Sequence, residues 1–171
     1  SALKDKDYFI IGGRYGLSSK EFTPSMVKAV FEHLDNEGHH DFTVGIIDDL
    51  TNKSIPIKEE LDIEPSSTIR CKFWGFGSDG TVGANKNSIK IIGENTKQNV
   101  QVYFSNDSKK SGGVTQSYLR FGKEKIKSLY IPTKFEFIAL HKHQYIGRYD
   151  ILKGIAENGI LMLTTGKISK K

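Results

Sequence analysis

Cysteine is almost missing from this chain: Cys71 is the only one among 171 residues. A lone thiol cannot build a disulfide framework, a four-cysteine zinc site or an iron–sulfur cluster. Proline is scarce, at four residues, and aromatics make up 11%. That balance belongs to a chain that folds rather than one that stays disordered. No apolar run exceeds a few residues, whereas a membrane span needs about 20. No charged, apolar and small-residue succession opens the chain, so no signal peptide is expected. These absences predict a soluble, cytoplasmic protein with no membrane partner. The length fits one ordinary domain, or one domain with a piece of another.

What is present is unevenly charged. Residues 1–67 hold 7 Lys/Arg against 13 Asp/Glu, while residues 68–171 hold 18 against 7. The polar, Pro-bearing stretch Asp62-Ile63-Glu64-Pro65-Ser66-Ser67 marks the seam. A basic segment invites an anionic partner; it also serves as a solvated lysine surface. The lysines are scattered and carry no zinc-finger, helix-turn-helix or RNA-recognition signature, so nucleic acid is not expected.

Along the chain, Tyr8 to Ile11 reads as a strand. A helix follows, with Thr23 as its cap, Pro24 at its first position and Met26, Val27, Val30, Phe31 and Leu34 on one face. Asn36 and Gly38 end it, and Phe42 to Ile47 gives a second strand. In the basic part, Ile69, Cys71 and Phe73 alternate with polar neighbours, predicting a strand. A Gly-rich turn (75–80) and a helix over 81–93 come next. Strands are expected at 99–104, 114–121, 126–131 and 135–140, then a helix at 144–156 and a strand at 159–163. The order predicts an α/β fold: three layers, α/β/α, around a mixed, mostly parallel sheet with a Rossmann-like Gly-rich turn.

That turn is the sharpest chemical signal. Gly75-Phe76-Gly77-Ser78-Asp79-Gly80 is a G-x-G-x-x-G between a predicted strand and a predicted helix. Gly75 suits a tight turn, Gly77 a close approach to pyrophosphate, and Gly80 close packing of helix on strand. The helix start offers free N–H groups and the positive end of its dipole to phosphate. The same run also serves as a plain strand-to-helix turn that binds nothing. It is no Walker A loop, because Thr81 stands where lysine is required. After the strand at 99–104, Lys109-Lys110-Ser111-Gly112 suits a ribose phosphate, as in NADP or coenzyme A, better than a free diol. Asp107 comes late for an NAD-type acid.

Other candidates are thin. His39-His40, His141 and His143 find no carboxylates to complete a metal site, and no metal ligand or catalytic residue is assigned. Cys71 reads as a small core residue. The loop pair Asp48-Asp49 fits a strand-end turn or an acid/base pair. No Ser/His/Asp or Cys/His arrangement stands out.

Three long stretches resemble pyruvate:ferredoxin (flavodoxin) oxidoreductases. They are Gly12-Gly13-Arg14-Tyr15-Gly16-Leu17-Ser18-Ser19-Lys20-Glu21-Phe22-Thr23-Pro24, then Gly77 through Lys90, then Asp107 through Thr115 followed by Leu119-Arg120-Phe121-Gly122. One departure is Ile47, where the family pattern has Asn before the two acids. The resemblance implies an enzyme that oxidatively decarboxylates pyruvate with thiamine diphosphate and Mg. It passes electrons through iron–sulfur clusters to ferredoxin or flavodoxin and transfers the acetyl group to coenzyme A. It implies that residues 1–65 are the end of a preceding α/β domain with its linker. Residues 66–171 would be a gamma-type domain truncated at its C-terminus and associated with coenzyme A. The chain would then be a fragment, inactive alone and partnered by the enzyme's other domains or subunits. Gly77 to Thr81 amides would face coenzyme A, with Asn85 and Lys86 one turn on and Lys109 and Lys110 supplying charge. An NADP-binding module and a purely structural docking domain remain the rival expectations.

Overall fold

The computed structural model describes residues 8–16, 21–47, 50–106 and 113–165. The chain divides into two compact units, Ser1–Ile63 and Glu64–Lys171.

In the first unit, helix α1 (Pro24–Asp35) starts where the sequence places it. Pro24 opens the first turn and the Met26 N–H donates to Thr23 Oγ1 at 3.4 Å. Buried Ala29, Phe42, Val44 and Ile55 form its core, with Ile11, Phe22, Met26 and Val30 packed against them. Phe31, expected on the apolar face, is exposed. No strand forms at 8–11, where Tyr8, Phe9 and Ile10 are exposed. The parallel pair is instead β1 (Gly13–Arg14) with β2 (Phe42–Thr43), so the expected strand to Ile47 is two residues long. The backbone turns away at Gly45, whose φ is +72°.

The second unit is a five-stranded sheet. Its strands are β3 (Ile69–Phe76), β4 (Asn99–Asn106), β5 (Val114–Gly122), β6 (Phe135–Leu140) and β7 (Ile155–Leu163), with α2 (Thr81–Asn95) between β3 and β4. The order is β4-β5-β3-β6-β7. β3 pairs antiparallel with β5 and parallel with β6, β4 antiparallel with β5, and β6 parallel with β7. Four strands therefore point one way and β5 the other, which makes a mixed, mostly parallel sheet. On one face, Cys71 and Leu119 meet Ile89 of α2. On the other, Trp74, Tyr118, Ile138 and Leu140 meet Tyr145 and Ile151 of the β6–β7 connection. The two crossovers leave the centre in opposite directions and lie on opposite faces, so they share one hand. The chain thus changes direction at β3, the type of point where open α/β sheets form a crevice at the carboxyl ends of their strands.

Two expected elements are absent. Residues 126–131 form no strand. Their carbonyls are taken by side chains: Gln101 Nε2 donates to Ser128 O at 2.9 Å, and Arg120 donates to Ser128 O and Tyr130 O. The helix expected at 144–156 is one 3₁₀ turn, His143–Tyr145, followed by turns. Gly147 and Gly154 sit at positive φ (+78° and +84°), which a continuous helix does not allow. The second face is thus covered by turns, and β7 begins at Ile155 rather than 159.

Candidate functional site

The Gly-rich run lies at the carboxyl end of central β3, leading into α2. The glycine roles differ from those the motif suggests. A Cβ on Gly75 would stand 2.7 Å from Thr81 Cβ and 2.8 Å from Thr115 Oγ1, so Gly75 is where the helix start packs on the sheet. Gly80 has open space around it and a φ of +86°, so Gly80 makes the turn. Replacing Gly75 with Ala is expected to cost about 1–3 kcal/mol of stability by overpacking. Gly83, inside α2, has nothing within 4 Å of its Cβ position. Gly83→Ala is expected to add about 0.5–1 kcal/mol through helix propensity. Paired urea melts of the two variants check the contrast; equal melts would refute it.

Asp79 braces the turn. The Phe76 N–H donates to its Oδ2 at 2.7 Å and the Thr81 N–H to its Oδ1 at 2.8 Å. Partial burial pushes the carboxyl up, but these donors outweigh it and hold the carboxyl below its usual range. The Asp79 N–H itself donates to Phe76 O at 3.0 Å, and the Gly77 N–H to Gly113 O at 2.9 Å. Of the five amides expected to face a ligand, Gly77, Asp79 and Thr81 are therefore committed within the protein. Ser78 and Gly80, with Val82 and Gly83 in the first helical turn, keep N–H groups without a partner among the described residues.

Beneath the helix start lies a polar layer. The buried stripe of α2 is Thr81, Asn85 and Ile89 rather than an apolar row. Asn85 is 3% exposed, and its Nδ2 has no hydrogen-bond partner among the described residues. Thr115 Oγ1 and Ser117 Oγ of β5 are likewise buried without partners among the described residues. Buried polar groups normally find partners, and three of the unpartnered ones among the described residues fall in this layer. Lys86 is exposed on α2, its Nζ 5.5 Å from the Phe104 ring centroid. Lys109, Lys110, Ser111 and Gly112 lie outside the described residues, as do Asp48 and Asp49. The chain nevertheless rejoins the sheet beside the turn, at Gly113.

Three residues to which the sequence assigned no binding role border the same crevice. β6 ends beside β3, and there the His141 N–H donates to Trp74 O at 3.0 Å. The Lys142 Nζ lies 4.8 Å from the Phe76 ring centroid. Tyr145 OH donates to Gly75 O at 3.4 Å. Their signal was their position just after a strand; which strand that one adjoins was not readable. Cys71 is buried in the α2 face, and burial, then Glu136, pushes its thiol up to about 12. It is a core residue and no thiolate ligand. Among the described residues no group of three His, Cys, Asp or Glu could hold a metal. No described helix is long and apolar enough to cross a membrane.

A braced Gly turn at the switch point of a mixed, mostly parallel sheet defines an α/β domain. Residues 70–170 match the family pyruvate ferredoxin/flavodoxin oxidoreductase. The chain belongs to this family. It is 57% identical over 161 residues to a pyruvate:ferredoxin oxidoreductase of Moorella thermoacetica, covering 94% of this chain and 14% of that protein. It is 52% identical over 157 residues to a pyruvate-flavodoxin oxidoreductase of Trichormus variabilis, covering 91% and 13%. With a pyruvate dehydrogenase [NADP(+)] of Cryptosporidium parvum it shares 48% over 165 residues, covering 95% and 8%. The crystal structure of the PORC subunit of a Thermotoga maritima pyruvate oxidoreductase matches with a TM-score of 0.50 at 18% identity. That match covers 60% of this chain and 52% of that one, and it supports the α/β fold. The chain thus spans about one seventh or less of the curated relatives it matches.

Proposed function

We propose that this chain is one portion of a larger pyruvate:ferredoxin or pyruvate:flavodoxin oxidoreductase, and that its Gly75–Thr81 turn serves coenzyme A. The observation that carries the reading is the unpartnered Asn85 Nδ2 beneath the open amides at the start of α2. Phosphate suits such donors. Asp79 bars an anion from the Thr81 amide, so a phosphate would be met at the Ser78–Gly80 edge. Lys86 and Lys142 would supply charge there, with Lys109 and Lys110 from the adjoining segment. In the whole enzyme, thiamine diphosphate with Mg and the iron–sulfur clusters would supply decarboxylation and electron transfer. One buried cysteine does not fit a cluster, so those groups would belong to other domains or subunits. The role left to this chain is binding and orienting the acyl acceptor, and alone it would be inactive. Residues 1–65 fit the end of a preceding domain and 66–171 a gamma-type domain.

The Asp79 carboxylate favours one rival, a docking domain whose turn binds nothing. Calorimetric titration with coenzyme A, 3′-dephospho-coenzyme A and NADP separates these readings. Coenzyme A is expected to bind, weakening about tenfold without the 3′-phosphate, as loss of one charged contact would give. Lys109→Ala/Lys110→Ala is expected to remove that difference. Preference for NADP would assign a nicotinamide module, and no binding at all would favour the docking domain.

A further inference from the structure

β7 closes one edge of the sheet, yet its sequence is that of an interior strand. Ile160, Leu161, Met162 and Leu163 are consecutive apolar residues, exposed by 62%, 44%, 41% and 39%. Near-continuous apolar runs belong to parallel strands buried on both faces. Edge strands are normally guarded by Lys, Pro or a short length, and β7 has nine residues with neither Lys nor Pro. The opposite edge, β4, alternates except at Tyr103: Asn99, Gln101 and Ser105 stand against Val100, Val102 and Phe104, with no run of four apolar residues on consecutive exposed positions.

The faces of β7 carry a second observation. Leu161 and Leu163 pair with Ile138 and Leu140, which places them on the face opposite α2. There they line a cavity of about 320 Å³ with Leu140, Ile146, Tyr149 and Leu152, in which Asp150 is the only charged residue. A right-handed crossover leaving β7 away from β6 must lie on this same face, where the β6–β7 connection already lies. The unpaired edge and the uncovered apolar cavity therefore ask for one and the same unit.

We propose that β7 is an interior strand of the whole protein. Polypeptide of the same chain, outside residues 1–171, would lay a helix over the Leu161–Leu163 cavity and add a sixth strand parallel to β7. The relatives supply the length: this chain covers 14% of the Moorella protein. It also covers only 52% of the Thermotoga subunit that shares its fold. The occupant is recognised by chemistry that β7 dictates, an apolar strand with an amphipathic helix before it.

Hydrogen exchange in the full-length protein tests this. The amides of residues 160–163 that point away from β6 are expected to exchange at least about tenfold more slowly than in an unstructured chain. A photo-crosslinker replacing Leu163 is expected to join a segment of the same polypeptide. Exchange at unstructured rates would overturn the proposal. So would slow exchange with a crosslink between two polypeptides, which would make the occupant a second copy or another subunit.

Discussion

Replacing Arg120 with Met is expected to destabilise the unit Glu64–Lys171 by about 3–5 kcal/mol, the effect of stranding a buried charge. Arg120 has four hydrogen-bond partners among the described residues. It pairs with Glu64, and the two side chains are 5% and 3% exposed. It also donates to Gln101 Oε1 and to the carbonyls of Ser128 and Tyr130. One guanidinium thus fixes the start of the unit, edge strand β4 and the irregular stretch 126–131. Removing it leaves the Glu64 carboxylate buried without its guanidinium and takes the Arg120 donor from the Tyr130 carbonyl, while Ser128 O keeps Gln101 Nε2. The double variant Arg120→Met/Glu64→Leu is expected to recover most of the loss, because burying an ion pair and burying its apolar isostere cost about the same. Urea unfolding of both variants measures this. A single variant within about 1 kcal/mol of the parent would show that water reaches Glu64 freely.

Lys72→Met is expected to act in the other direction. Lys72 is 7% exposed and forms no ion pair among the described residues. Its Nζ lies 4.3 Å from the Trp74 ring centroid, 5.9 Å from that of Tyr118 and 5.6 Å from that of Phe135. Burial, with Lys153 nearby, outweighs Asp150 and lowers its pKa from 10.5 to about 8. That gap corresponds to about 3 kcal/mol against the charged form. Three ring faces return about 1 kcal/mol, so desolvation wins. The sign follows from proton counting. Below pH 8 both states hold the proton and the whole penalty is present. Between pH 8 and 10.5 the unfolded chain binds more protons, so stability rises with pH. Lys72→Met is expected to add about 2 kcal/mol at pH 7 and to remove this group's rise between pH 8 and 10.5. Melts across pH 7 to 10.5 check both parts; a variant less stable than the parent at pH 7 would mean the rings dominate.

The run from β3 through the turn and α2 to β4 was readable because each step leaves a local mark: alternation at Cys71 and Phe73, glycines at 75, 77 and 80, and a helical stretch after Thr81. The crevice was only half readable, because adjacency of strands is a long-range property. Nothing near His141 or Lys142 announces that β6 lies beside β3. The stripe Thr81, Asn85, Ile89 escaped for another reason. A hydrophobic period search looks for apolar residues, and two of these three are polar. Residues 126–131 misled in the opposite sense, since their apolar content suits a strand while Arg120 and Gln101 take the carbonyls a ladder would need.

The Asp79 brace bears on where disorder is lost. A loop that must be ordered by its ligand gives up roughly 1–2 kcal/mol per residue at the moment of binding. From Phe76 to Thr81 the backbone is already tied by four hydrogen bonds through Asp79 and Gly113. Its freedom is given up during folding, while the carboxylate is ionised. A molecule arriving at this turn would meet a backbone already set, and none of its affinity would go to freezing Phe76–Thr81.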